Sequence, residues 1–330
     1  MKIVQFSRFG GAEVLELVDA PEPIPTQGEI LVRAQAIGVG MPDILMRRGS
    51  YNWIPSLPVI PGNELAGVVE AIGSGTANVK PGDRVYVNSR ELSERGGGYA
   101  EMVAVPSSSV YLLPDAVSAE QAVALGNYQL AWLLLNYASS PMPGDPVLLH
   151  AAAGGAGSAL VQMAKRQGLT VYGVVGSPDK VRHALAAGAD ATIDRSSGDI
   201  GAWVAALTGG AGVKFIYDGV GGAGFAENFG MLAPMGMVIL FGHAAGLPDP
   251  DVLGPMRAHF GRSLALRLFS IHVLDEKPDL RRHAMEEAIA AMATGEISPP
   301  IHARLPLAEA ADAHRLLEAG GTSGKIILVP

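Results

Sequence analysis

Several residue types and patterns are scarce or missing in this chain of 330 residues, and each absence narrows its function. The chain contains no cysteine, which excludes disulfide bonds, thiolate zinc sites and a cysteine nucleophile. Charged residues make up only 17% and the formal net charge is -8, so we expect neither nucleic acid nor a membrane as a partner. The start of the chain shows no signal-peptide pattern, and we expect a cytoplasmic protein.

A membrane-spanning run is also lacking. The stretch 122–144 carries no formal charge, but Gly126, Asn127, Gln129 and Asn136 interrupt it. The stretch therefore predicts a buried helix followed by a loop.

The spacing of β-rich and helical segments predicts two domains, as the chain length also favours. Short β-rich runs dominate as far as about residue 120, namely Lys2–Phe6, Glu29–Ala36, Leu65–Ala71, Arg84–Val87 and Tyr99–Val105. They predict a compact antiparallel barrel-like domain. The next stretch alternates helix and strand and predicts a doubly wound parallel sheet. We place the barrel domain at 1–122 and 272–330 and the cofactor domain at 123–271.

The most informative segment, Val147–Ala164, predicts a strand, a tight turn and a helix. Its turn contains the small residues Gly154, Gly155, Ala156 and Gly157. These let the backbone approach a ligand, while the start of the helix directs N–H groups and a positive dipole end at that ligand. The turn is therefore a candidate pyrophosphate site.

The turn matches the dinucleotide fingerprint G-x-G-x-x-G at two of its three positions, since the first is Ala152. A small-residue turn also forms where a helix and a sheet pack closely, so the pattern alone leaves both interpretations open. The following β-rich run, Leu169–Val175, completes a βαβ unit and favours a dinucleotide.

The end of that second strand indicates which dinucleotide binds. Enzymes that prefer NAD usually carry Asp or Glu there, whereas this chain has Gly176 and Ser177. No carboxylate repels a 2′-phosphate, and both Lys180 and Arg195 follow, so the sequence favours NADPH. The alternative is that Ser177 begins a helix, Lys180 is merely solvated and the nearby Asp179 leaves NADH open.

Several motifs in order resemble the medium-chain dehydrogenase/reductase superfamily over essentially the whole chain. They are Phe9–Leu15, Pro61–Gly67, Lys80–Val85, Ala151–Gly157, Tyr217–Gly221, Phe241 with Gly242, and Gly324–Leu328. The Ala-x-x-Gly-x-x-Gly form of the loop resembles the zinc-independent NADPH:quinone oxidoreductase, or zeta-crystallin-like, branch. The resemblance implies a GroES-like antiparallel β-barrel catalytic domain, a Rossmann cofactor domain and a homodimer.

The resemblance also bears on metal binding. Gly40 and Asn63 stand where zinc alcohol dehydrogenases carry a cysteine and a histidine ligand. Neither replaces a thiolate or imidazole at tetrahedral zinc, so we expect no metal site. Without a Lewis acid, hydride transfer to an activated acceptor is favoured over alcohol oxidation. A quinone or an α,β-unsaturated carbonyl is such an acceptor.

Individual site residues follow from the same resemblance. Tyr51 stands where related reductases carry a cleft-lining tyrosine, and it either gives a hydrogen bond to the developing oxyanion or packs in its loop with Trp53. Gly40 and Met41 are expected beside the nicotinamide, and Gln129 in place of a threonine hydroxyl. Further cofactor contacts are expected from Gly219, Phe241, Gly242, His243, Phe269, Ser270 and Lys325, although Lys325 is explained equally well as a strand-edge charge.

The favoured interpretation is an NADPH-dependent reductase of quinones or enones. The segment around Tyr51 also resembles that of the 2-enoyl thioester reductases, in which a tyrosine donates the proton. A non-catalytic NADPH-binding structural or regulatory protein is the alternative from another class. In the implied homodimer the cofactor domains join edge to edge through Leu264–Phe269, a run that also suits an ordinary buried strand.

Overall fold

The computed structural model describes all 330 residues. Its strands are β1 (Lys2–Gln5), β2 (Glu16–Asp19), β3 (Glu29–Val39), β4 (Glu64–Ile72), β5 (Arg84–Asn88), β6 (Met102–Pro106), β7 (Val110–Leu112), β8 (Pro146–His150), β9 (Thr170–Val175), β10 (Ala191–Asp194), β11 (Val213–Asp218), β12 (Leu232–Leu240), β13 (Ala265–Leu268), β14 (Ile301–Pro306) and β15 (Lys325–Val329). Its α-helices are α1 (Met41–Arg47), α2 (Ala119–Ala122), α3 (Leu125–Leu133), α4 (Gly155–Arg166), α5 (Pro178–Ala186), α6 (Ile200–Leu207), α7 (Asn228–Met231), α8 (Leu253–Arg257), α9 (Pro278–Ala293) and α10 (Ala310–Glu318).

The chain forms two compact units, whose boundaries fall inside α3 and α9. Unit one comprises Met1–Gly126 and Met285–Pro330, and unit two comprises Asn127–Ala284. The domain bounds inferred from the sequence, 1–122 with 272–330 and 123–271, stay a prediction about the functional domains.

Unit one contains a seven-stranded sheet in the order β14-β15-β3-β4-β5-β7, with β6 paired to β3. The long strand β3 makes this branching possible, because Glu29–Arg33 pair with β6 while Ile37–Val39 pair with β15. Buried aliphatic side chains from these strands form the core, among them Ile30, Val32, Ile37, Leu65, Val85, Ile326 and Leu328. A separate antiparallel pair, β1 and β2, completes the unit's strands.

One strand pair departs from the predicted antiparallel arrangement. The strands β14 and β15 are parallel, whereas the other pairs of unit one are antiparallel. The reason is the connection between them: α10 crosses over from one strand to the next, and such a crossover returns the chain in the same direction. The prediction of a wholly antiparallel domain was therefore wrong at this pair.

Unit two contains a six-stranded parallel sheet in the order β10-β9-β8-β11-β12-β13. The order counts 3-2-1-4-5-6 from β8, which is that of the doubly wound dinucleotide-binding fold. Helices follow β8, β9 and β10 along the chain, as each parallel connection requires. The predicted Rossmann-type sheet is thus confirmed. The order of its strands reverses between β8 and β11, and ligands bind such sheets at this switch point.

The uncharged stretch 122–144 forms α3, one turn of π-helix over Leu134–Ala138 and a loop. No helix in the structure combines the length and the apolar character needed to cross a membrane.

Candidate cofactor and catalytic residues

The glycine-rich turn joins β8 to α4 in unit two. Gly154 is the N-cap of α4, and Gly157 lies in the helix's first turn. A Cβ atom on Gly157 would lie only 2.1 Å from the carbonyl oxygen of Ala151, so only glycine allows the helix to approach the turn this closely. The first-turn N–H groups and the positive dipole end of α4 are consequently suited to a diphosphate.

Ala152, the residue at the first fingerprint position, is fully buried beside β9. A Cβ atom on Gly173 would lie 2.9 Å from the Ala152 methyl group. The glycine that makes room is thus on the neighbouring strand, and the methyl group of Ala152 fills that space.

Two basic residues flank the end of β9. The parallel register pairs Asp194 of β10 with Val175 of β9, so Arg195 and Gly176 are neighbours just beyond the sheet. A Cβ atom on Gly176 would lie 3.9 Å from Nε of Arg195. Burial lowers the pKa of Lys180, and the positive charge of Arg195 lowers it further. Lys180 and Arg195 therefore act on the same region beside Gly176.

Ser177 and Asp179, at the start of α5, were named in the alternative interpretation of this segment. Ser177 occupies the N-cap of α5, but its hydroxyl does not cap the helix. Asp179 lies exposed in the first turn of α5. We refer to Lys180 and Arg195 as the basic pair.

The loops after β11 and β12 are held together by their backbones. Ala245 N donates to Val220 O at 2.8 Å, and Gly222 N donates to Gly246 O at 2.9 Å. A Cβ atom on Gly219 would lie 2.9 Å from the ring of Phe241, and one on Gly242 would lie 2.8 Å from Gly219 O. The predicted contacts Gly219, Phe241 and Gly242 are therefore direct neighbours, with His243 exposed beside them.

A series of hydrogen bonds from Asp218 through Asn228 to His150 lies next to these loops and was not predicted. Asp218 Oδ1 accepts from the N–H groups of Val220 and Gly221 at 2.7 and 3.0 Å. Its Oδ2 accepts from Asn228 Nδ2 at 3.0 Å, and Asn228 Oδ1 lies 2.8 Å from Nε2 of His150. Because Asn228 Oδ1 accepts, His150 donates from Nε2, and its side chain supports the loop at the switch point.

The remaining predicted cofactor contacts of unit two are Phe269, Ser270 and Gln129, and each has different surroundings. Phe269 is 8% exposed at the end of β13, and the hydroxyl of Ser270 accepts from His272 N at 3.3 Å. Gln129 is 1% exposed, and its amide donates to the carbonyl of Arg281 at 2.8 Å. That bond gives Gln129 a packing role between α3 and α9, and its cofactor role stays a prediction.

In unit one, the expected nicotinamide-side residues Gly40 and Met41 begin α1. The carboxylate of Asp43 accepts from Gly40 N at 2.8 Å through Oδ2. Through Oδ1 it accepts from Gly62 N, Asn63 N and Asn63 Nδ2 at 3.1, 3.1 and 2.6 Å. Asn63 Oδ1 in turn accepts from the hydroxyl of Ser89 at 2.5 Å, so both ends of the Asn63 amide are engaged.

Lys325 lies in β15, which has a neighbour on each side, so it is not a strand-edge charge. Its side chain is 4% exposed and pairs with Glu64, whose other oxygen accepts from Tyr86 Oη and Gly126 N at 3.1 and 3.0 Å. A Cβ atom on Gly40 would lie 4.0 Å from Lys325 Nζ. The ammonium group thus lies next to the start of α1.

Tyr51 follows α1 and is half-buried. Its ring packs on Trp53 with centroids 5.4 Å apart and the ring planes tilted by 58°. Both the chemical and the packing interpretations of Tyr51 thus stay open on geometry alone.

No group of three or more His, Cys, Asp or Glu side chains in the chain is arranged to hold a metal ion. Neither the hydrogen bonds that link Asp43, Asn63 and Ser89 nor the ion pair of Glu64 with Lys325 was predicted from the sequence. Asp43 had a local signal, since an acid three residues after Gly40 suits a helix start. The partners of Glu64 and Ser89 lie too far away in sequence to be read from a motif.

Fold and site together define a dinucleotide-binding α/β protein with a second β-rich unit. Residues 26–115 match the alcohol dehydrogenase GroES-like domain family, and residues 155–291 match the zinc-binding dehydrogenase family. The chain is 35% identical to a quinone oxidoreductase of Pseudomonas aeruginosa, with 100% of this chain and 99% of the relative covered. It is 32% identical to the human synaptic vesicle membrane protein VAT-1 homolog, covering 100% of this chain and 86% of that protein.

Among solved structures, the Escherichia coli quinone oxidoreductase complexed with NADPH is similar with a TM-score of 0.89 and 32% identity, each chain being covered completely. This chain belongs to the medium-chain dehydrogenase/reductase superfamily and, within it, to the quinone oxidoreductases. The family expected from the sequence motifs is thereby confirmed.

Proposed function

We propose that this protein is an NADPH-dependent oxidoreductase that transfers a hydride to a quinone without a metal ion. The observation that carries the proposal is the basic pair beside Gly176, where a carboxylate for the NAD ribose is missing. Two positive charges at this place suit a 2′-phosphate. The names of the relatives and the NADPH complex of the Escherichia coli enzyme support the same activity.

NADPH, when bound, supplies the hydride, and the residues of this chain bind and orient the reactants. The first turn of α4 binds the diphosphate, and the basic pair binds the 2′-phosphate. A quinone that gains a hydride becomes a hydroquinone anion, which needs one proton. We assign Tyr51 to give a hydrogen bond to that oxygen as its charge develops. An enone would need the same assistance.

Zinc independence is supported by the residues at the two inferred ligand positions. Gly40 has no side chain, and the amide of Asn63 is committed to Asp43 and Ser89. An amide is also a poor substitute for imidazole at tetrahedral zinc. The proposed hydride transfer therefore needs no metal ion.

Further proposals rest on the sequence and on family resemblance. They are a cytoplasmic location, closure of the unit-one sheet into a barrel, and a homodimer. For the dimer, β13 is an edge strand with one neighbour, and Leu268 on it is 73% exposed. A monomeric mass in solution would refute the dimer.

The test of function is NADPH oxidation by the purified protein, followed by absorbance with small quinones, small enones and enoyl thioesters in separate reactions. We expect turnover with quinones, and a much lower rate with NADH than with NADPH. Turnover confined to enoyl thioesters would replace quinone reduction with thioester reduction. Tight NADPH binding without turnover on any acceptor would indicate the non-catalytic alternative.

The substitution Tyr51→Phe tests the proposed hydrogen bond. We expect kcat for quinone reduction to fall by about 100- to 1,000-fold with an unchanged Kd for NADPH, because the loss of one oxyanion contact has an effect in this range. The phenyl ring keeps the packing on Trp53, so kcat would be unaltered if Tyr51 served only to pack on that ring. Steady-state kinetics make the comparison, with Tyr137→Phe on the surface of unit two as the matched control.

A further inference from the structure

The buried carboxylate of Asp43 joins three segments of unit one that the sheet itself no longer connects. The ladders of β3, β4 and β5 end at Gly38, Glu64 and Asn88, which are paired in register. The segments that carry Gly40, Asn63 and Ser89 continue just beyond this end. There, hydrogen bonds to Asp43 and Asn63 replace the strand pairing.

All the groups bonded to Asp43 are donors. Gly40 N, Gly62 N, Asn63 N and Asn63 Nδ2 occupy both carboxylate oxygens, and the side chain is 1% exposed. An ionised carboxylate can accept all of them, whereas a protonated one would turn a hydroxyl toward N–H groups. The arrangement therefore requires the ionised form.

We propose that Asp43 is a positioning residue for hydride transfer, which holds Gly40 and Met41 in register with Asn63 and does so only when ionised. This inference rests on the proposed function, since Gly40 and Met41 are the residues assigned to the nicotinamide side. Asp43 acts through the backbone at Gly40 and has no assigned contact with a substrate.

Burial makes the ionisation of Asp43 sensitive to pH just below neutrality. Burial raises the pKa of Asp43 to about 6, although the bonds from Gly40 and Asn63 and the charge of Lys325 oppose the rise. The negative charge of Glu64 adds to the rise. Burial, and then the charge of Asp43, raise the pKa of Tyr99. The ionised form prevails above this pKa, so kcat is expected to fall as the pH drops through about 6.

The first experiment compares the pH profiles of the wild type, Asp43→Asn and Asp43→Ala. We expect kcat at about pH 8 to fall roughly 10-fold in Asp43→Asn and roughly 100-fold in Asp43→Ala, as for misplaced reactants. The asparagine keeps one acceptor but does not titrate, so the fall near the pKa of Asp43 should vanish in that variant. The matched control is Asp83→Asn, which alters an exposed turn of unit one at Lys80.

The second experiment needs no turnover. Hydrogen exchange followed by mass spectrometry should show faster exchange of the segments at Gly40 and at Gly62–Asn63 together in Asp43→Asn, with the segment at Asp83 unchanged at the same pH. Coupled exchange without any quinone reduction in the wild type would retain the positioning role and reject the proposed function. Quinone reduction with an unaltered pH profile in Asp43→Asn, or without coupled exchange, would overturn the positioning role.

Discussion

Replacing both Lys180 and Arg195 with alanine should weaken NADPH binding by about 100-fold or more, since each of the two hydrogen bonds to a charged group contributes about 1.5–3 kcal/mol. NADH binding should remain within about 3-fold of the wild type. NADH has no 2′-phosphate for these side chains to bind, and surface substitutions away from a contact have small effects. Titration of protein fluorescence with each nucleotide measures both dissociation constants.

The physical reason for the large effect is the convergence of two charges on one region. Arg195 follows β10 and Gly176 follows β9, and the parallel register makes them neighbours. Lys180 approaches the same region from α5, where the charge of Arg195 lowers its pKa. A bound dianion would relieve this repulsion and gain two partners at once.

The matched control removes two positive charges elsewhere in unit two. Arg166 lies in the last turn of α4, at the opposite end from the glycine-rich turn, and Arg257 is exposed in the last turn of α8. Arg166→Ala with Arg257→Ala changes the net charge equally, so long-range attraction alone would weaken NADPH binding equally. Equal losses for NADPH and NADH in the Lys180 and Arg195 variant would contradict the assignment of the basic pair.

The sequence predicted the features that depend on local patterns. The turn at Gly154–Gly157 was predictable because a strand, small residues and a helix follow one another within one segment. The doubly wound parallel sheet was predictable from the alternation of strand and helix after that turn. The position of Arg195 near Gly176 was also predictable from the sequence, since neighbouring parallel strands end at the same edge of the sheet.

What could not be predicted depends on contacts between distant segments. The pair of Lys325 with Glu64 joins residues 261 positions apart, and the bond from Asn63 to Asp43 spans 20 positions. The packing bond of Gln129 likewise needs the carbonyl of Arg281, 152 positions away. Such partners are selected by the tertiary fold, so one sequence shows a candidate polar residue without showing its bond.

The parallel pairing of β14 with β15 illustrates the same limit in the sheet. Strand direction cannot be read from a short run of residues. The direction of this pair depends on the crossover through α10, which is a feature of the tertiary fold. The resemblance implied an antiparallel barrel domain, so a parallel pair was not predicted.

The substitution Gly157→Ala should abolish tight NADPH binding and lower the apparent Tm by about 2–12 °C. The added Cβ would lie 2.1 Å from Ala151 O and 2.8 Å from Ala151 C, which are backbone atoms without a rotamer to change. Relief therefore requires α4 to move away from the turn. Overpacking of this kind costs about 1–3 kcal/mol, and each kcal/mol lowers Tm by about 2–4 °C in a domain of this size.

Loss of NADPH binding follows from the same displacement. The diphosphate needs the first-turn N–H groups of α4 at hydrogen-bond distance, and hydrogen bonds weaken steeply once α4 shifts. The control is Gly261→Ala, whose added Cβ would meet nothing within 4 Å. Thermal unfolding and NADPH titration of both variants separate the loss of stability from the loss of NADPH binding. A Gly157→Ala protein that is less stable but binds NADPH with wild-type affinity would contradict the prediction. It would show that the turn packs α4 against the sheet without binding the diphosphate.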